Sequence, residues 1–133
     1  MSTQRLWLAA GAISGLIAVA AGAFGAHALR DLPPRYVGAF KTGAEYQMYH
    51  ALALLAVAGL GRGRWTPLAG GCFVLGTLLF SGSLYALALT QADRWGALTP
   101  IGGTFFLLGW LLLALAGWQR FSAQDGSRSE SRP

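Results

Sequence analysis

Charge is what this sequence has least of: ten basic and five acidic residues in a chain of 133, of which 54% are hydrophobic. A chain so poor in charge cannot cover the surface of a water-soluble domain, and its charged positions are bunched rather than spread. A single cysteine, Cys72, excludes a disulfide within the chain and leaves a buried, inert thiol as the default. Two histidines and no HExxH run are too few ligands at fixed spacing for a zinc or iron site. Neither a metal nor a cofactor is therefore expected. The formal net charge of +5 suits an anionic inner leaflet. Nucleic acid would need a folded basic surface, and none is visible.

What the sequence has instead is long uncharged runs: Leu6 to Leu29, Tyr46 to Gly61, Trp65 to Ala92 and Trp95 to Gln119. A bilayer core of about 30 Å needs roughly 20 helical residues, so three of these cross outright. The second is short. To span, it must take in Glu45 and reach Thr42 or Lys41, which sets the carboxylate inside the membrane boundary and lets the lysine snorkel. A cleaved signal peptide competes for the first run, because Ala26-His27-Ala28 reads as a small-x-small site. An h-region of about 7 to 15 residues is shorter than this run, which favours retention. The expectation is an all-α membrane protein: a four-helix transmembrane bundle over residues 1–120, with spans near 6–28, 42–61, 66–90 and 97–118. The tail 121–133, FSAQDGSRSESRP, has no apolar period and reads as a solvated, disordered basic end.

Four spans put both termini on one side. Arg5, Arg62, Arg64, Arg120, Arg128 and Arg132 fall on the terminal side and Arg30, Arg35, Lys41 and Arg94 on the other, a bias that favours cytoplasmic termini. Trp7, Trp65 and Trp118 would mark the inner interface, and Trp95 with Tyr36 the outer one.

Gly11, Gly15, Ala18, Gly22 and Gly25 alternate steps of four and three, stripping one edge of the first helix of side chains. In lipid such an edge holds helices together by close van der Waals contact. It can face a helix of the same chain, another membrane protein or a second copy. The glycine pair Gly102-Gly103 in the fourth run is likewise a packing device rather than a phosphate loop.

At about 1.5 Å per residue, all four helices carry their polar groups in the outer half. An outer layer of His27, Glu45, Tyr46, Tyr85 and Thr99 lies above an inner one of His50, Ser81 and Thr104, and Gln47 and Ser83 belong to the same polar cluster. Thr99 before Pro100 reads as an N-cap and N1 pair. His27 and Glu45 both fall within about 5 Å of the outer boundary, near enough for an imidazole and a carboxylate to pair.

The blocks GAFGAHAL, TGAEYQMYHALALL, LFSGSLYALALT and TPIGGTFFLLGW resemble the YgdD-like family of small inner-membrane proteins, a domain of unknown function with a mitochondrial relative in animals. The resemblance runs from about Gly11 to Trp118. It implies a four-helix integral protein of the bacterial inner membrane and brings no activity or catalytic residue with it. It singles out His27, Glu45, Tyr46, Gln47, His50, Ser81, Ser83, Tyr85, Thr99 and Pro100, the positions that the depth count also gathers.

Four readings compete for this cluster. It can be a hydrogen-bond network that fixes helix register, or an accessory site for a lipid head group, a quinone-like molecule or a partner helix. A proton path through an oligomer would want a broken helix pair or an internal repeat, and neither is present. Catalysis would want a base beside Ser81 or Ser83, for which only His50 is level, and FSGSLY lacks a nucleophile elbow's strand-turn-helix setting. The expectation is a non-enzymatic protein whose surroundings are the lipid bilayer.

Overall fold

The computed structural model describes residues 2–61 and 63–130, the last three by their backbone alone. Four long helices account for nearly all of them: α1 (Thr3–Ala28), α2 (Pro34–Leu60), α3 (Thr66–Thr90) and α4 (Thr99–Glu130). Three of these, α1, α3 and α4, are long and apolar enough to cross a membrane. Local chemistry sets the ends. Ser2 caps α1, its Oγ accepting from the Arg5 amide at 3.4 Å. Pro34 opens α2 at the position where a missing N–H costs nothing. Gly61, at φ +79°, closes it in a conformation that side chains resist. Gln91 ends α3 in the left-handed region, and its carbonyl accepts from the Tyr36 hydroxyl at 3.2 Å. A 3-10 turn, Asp93–Ala97, then leads into α4.

Two boundaries depart from the sequence reading. The second helix starts at Pro34, eight residues before Thr42, because Pro33-Pro34 is a start signal and nothing breaks the helix after it. The fourth continues to Glu130, where the sequence suggests a disordered tail from 121. Gln119, Arg120, Ala123 and Gln124 are adequate helix formers, and Arg120 ties this stretch to α2 by donating to the Gly59 carbonyl at 2.6 Å. Arg62 and residues 131–133, including Arg132, lie outside the described residues.

The helices alternate in direction. Gly25 of α1 lies against Phe40 and Gly11 against Ala51, Leu54 and Leu55, so α2 runs antiparallel beside α1 over most of its length. At α3 and α4 the packing is reciprocal: Phe73 covers Gly109, Phe80 covers Gly102 and Phe106 covers Gly76. The Phe73 and Phe106 rings occupy space that a Cβ at Gly109 or Gly76 would fill, and at Gly102 it is the Phe80 backbone itself that comes that close. The α2–α3 pair is the spine of the bundle. The helix α1 packs chiefly on α2 and α4 chiefly on α3, while among the described residues the backbones of α1 and α4 do not approach each other. The core joins Leu54, Val57, Phe73 and Phe106 at the end near the termini. A second cluster holds Leu29, Phe40 and Ala88 near the α1–α2 loop. Trp7, expected at the head groups, turns into the core against Gly70 instead. Outward positions are apolar: Leu16 is 72% exposed and Leu107 73%. Water would not tolerate that exterior, and acyl chains would.

Candidate functional site

The polar side chains meet in separate groups rather than in two continuous layers. The first joins three helices. The Tyr85 hydroxyl donates to Gln47 Oε1 at 2.7 Å, and Gln47 Nε2 donates to the Ser14 carbonyl of α1 at 3.1 Å. Gln47 is buried, and Gly43 one turn away lets the Tyr85 ring lie against α2.

The second group ties α3 to the start of α4. Ser83 Oγ lies 2.8 Å from Thr99 Oγ1 and donates to the Phe80 carbonyl at 2.9 Å; the Thr99 hydroxyl must then supply the proton between the two side chains. Thr99 is the first residue of α4 and spends its hydroxyl on Ser83, so it does not act as the N-cap that the Thr-Pro pair suggests.

The third group surrounds His50. Its Nδ1 lies 2.6 Å from the Tyr46 carbonyl, and the Trp110 indole N–H donates to its Nε2 at 3.2 Å. A carbonyl only accepts and an indole only donates, so the imidazole is neutral with its proton on Nδ1. The ring stacks on Phe106 with centroids 3.4 Å apart and planes within 2°. Tyr46 in turn stacks on Phe80 at 4.7 Å. Trp110 and Phe106 are absent from the sequence list because apolar aromatic positions in a greasy run carry no signal of what they face.

The remaining expected members stand apart. His27 is exposed and has no side-chain partner among the described residues, so it does not pair with Glu45. Glu45 faces Lys41 across one helical turn, with Nζ and Oε1 3.9 Å apart. Thr104 turns outward and donates to its own helix at the Pro100 carbonyl, 3.0 Å away. Ser81 is 1% exposed, and its Oγ is buried without a hydrogen-bond partner, as are Ser14 Oγ and Thr77 Oγ1. Ser14 and Thr77 line a cavity of about 220 Å³ between α1, α2 and α3 with Gln47, Ile13 and Val74. Of the small-residue edge, Gly11 and Gly25 abut α2, Gly15 is 3.8 Å from the Ala51 Cβ by way of an added Cβ, and Gly22 meets nothing. Gly22 therefore does not belong to the contact seam. It borders a cleft of about 260 Å³ between α1 and α2, where Lys41 and Glu45 also lie. Outside the bundle proper, Arg35 pairs with Asp93, linking the start of α2 to the turn before α4.

Among the described residues, no three His, Cys, Asp or Glu side chains gather where a metal ion would need them. Among the described residues neither Ser81 nor Ser83 is hydrogen-bonded to a base, and the ring nitrogens of His50 are taken by Trp110 and Tyr46. The three bonded groups satisfy polar atoms across helix seams, while the hydroxyls of Ser14, Thr77 and Ser81 stay unpaired.

A family model described as a protein of unknown function, DUF423, matches residues 21–103. The chain is 44% identical over 119 residues to the UPF0382 membrane protein YwdK of Bacillus subtilis, covering 85% of this chain and 96% of that one. It is 46% identical over 115 residues to the UPF0382 inner membrane protein YgdD of Escherichia coli, covering 84% and 88%. A membrane protein of Staphylococcus epidermidis is 44% identical over 120 residues, with 85% and 95% covered. No solved structure matches the chain. Helices of spanning length, an apolar exterior and relatives alike over nearly their full length agree, and the chain belongs to the DUF423 family of membrane proteins of unknown function.

Proposed function

We propose that this inner-membrane protein crosses the bilayer four times with both termini in the cytoplasm and performs no catalysis. In this reading its buried polar groups hold the helices in register, and the cleft between α1 and α2 is an accessory site for a lipid or a partner. The observation that carries the non-catalytic part is the state of His50: both ring nitrogens are engaged, so the buried imidazole has neither a lone pair nor a proton to lend to a substrate, a metal or a proton wire. Gln47, Tyr85, Ser83 and Thr99 are likewise occupied with one another.

The fourth crossing is supported by packing rather than hydropathy. The helix α2 has 27 residues, about 40 Å, and lies beside α1 from Gly25–Phe40 to Gly11–Leu55. A helix flanking a spanning neighbour over that length crosses with it. Its polar residues keep it below the hydropathy of the others, and α1, α3 and α4 shield part of its surface. Alternating directions bring Gln4 and Arg120 together at Gly61, so both termini emerge at one end, and the excess of arginine there favours the cytoplasm.

Reconstitution into proteoliposomes under an imposed proton gradient tests the reading. The expected result is no proton uptake above empty vesicles. Uptake that disappears in Glu45→Gln would overturn it in favour of transport.

A further inference from the structure

The cleft beside Gly22 combines three properties. It is lined by Gly22, Gly25, Phe40, Lys41, Ala44 and Glu45, so it pairs an apolar floor with one cation and one anion. Lys41 Nζ and Glu45 Oε1 are 3.9 Å apart, beyond hydrogen-bond reach, and their side chains are 75% and 46% exposed. Each therefore keeps donors or acceptors for something else, while their charged ends stand within 4 Å of each other. Glu45 lies 15 residues before Leu60, about 22 Å along the helix, and so sits beneath the boundary of a 30 Å core. Acyl chains offer such a carboxylate no partner.

Resting on the accessory-site reading above, we infer that the cleft binds a phospholipid whose head group carries both a phosphodiester and a primary ammonium, of the phosphatidylethanolamine kind. The phosphate meets Lys41, the ammonium meets Glu45, and an acyl chain lies over Gly22. A trimethylammonium head group has no N–H to donate to the carboxylate, and a glycerol head group has no cation for it.

Native mass spectrometry of the full chain, equilibrated with equal amounts of phosphatidylethanolamine, phosphatidylcholine and phosphatidylglycerol in detergent, reads the preference. The expected result is a roughly three- to tenfold excess of retained phosphatidylethanolamine over phosphatidylcholine. Glu45→Gln should remove that excess, and Lys41→Gln should weaken retention of all three. Gly22→Leu should release all three while the unfolding temperature in lipid-free detergent stays at the wild-type value, because a Cβ there meets nothing within 4 Å. Equal retention of the three lipids, lost in Gly22→Leu, would overturn the ammonium preference and leave a lipid cleft standing. Retention unchanged in Gly22→Leu would overturn the accessory site as well.

Discussion

Trp110 of α4 reaches across to α2 and hydrogen-bonds Nε2 of His50 at 3.2 Å, while the same imidazole lies flat on Phe106. This is one of two hydrogen bonds between α2 and α4 among the described residues, the other running from Arg120 to the Gly59 carbonyl. A double-mutant cycle of His50→Phe and Trp110→Phe, read by unfolding in detergent, should show a coupling of about 0.6 and at most about 1.7 kcal/mol, the range for hydrogen bonds between membrane helices. Additive losses would mean that the two residues merely pack.

The small-residue positions should rank by what an added side chain strikes. At Gly11 a Cβ would come within 2.8 Å of Leu55 Cδ2 and 2.9 Å of the Ala51 carbonyl oxygen, and that backbone cannot yield. Gly11→Leu should cost about 1–3 kcal/mol or more. Gly15→Leu should cost less, and Gly22→Leu, Gly59→Leu and Gly117→Leu little, since a Cβ at these last three meets nothing. A melting series that puts Gly22→Leu beside Gly11→Leu would contradict the packing of α1 on α2.

Topology has its own assay. A reporter that works only in the cytoplasm should be active when fused after Pro133. A cysteine placed at Pro33, in a Cys72→Ala background, should react with an impermeant thiol reagent from outside intact cells. Labelling from the cytoplasmic side alone would invert the proposed orientation and move the Lys41–Glu45 cleft to the inner leaflet.

His27→Ala and Glu45→Gln should be additive. Depth alone suggests that these two meet, yet Glu45 faces Lys41 on its own helix and His27 is exposed on α1. A measured coupling above about 0.5 kcal/mol would restore the direct pair.

Depth along a helix is legible in a sequence, because each residue adds a fixed rise. The direction in which a residue points around the helix is much less so when nearly every neighbour is apolar. That is why the depth count gathers His50, Tyr85 and Ser83 as polar residues of one half of the bilayer without naming the partners they take. Tyr85 meets Gln47 and Ser83 meets Thr99, but Thr104, on the same helix as Thr99, faces outward. Gly22 obeys the small-residue spacing and still misses the contact, since spacing marks an edge and says nothing of where the neighbouring helix diverges. Charge limits the reading at the other extreme: the charged Lys41 bounds the second span near Thr42, whereas Pro34 marks where α2 starts.

The separation of the α1 and α4 backbones among the described residues also bears on how the chain assembles. Each broad seam joins helices that are consecutive in sequence, α1 to α2, α2 to α3 and α3 to α4. A nascent chain released into the bilayer one helix at a time would find the principal partner of every new helix already inserted beside it. No early segment has to wait for the last one to close a ring, and the loops to be ordered are short. Such an itinerary keeps contact order low and leaves little time for polar groups such as Gln47 to stand unpaired in lipid, since Tyr85 arrives with the very next helix.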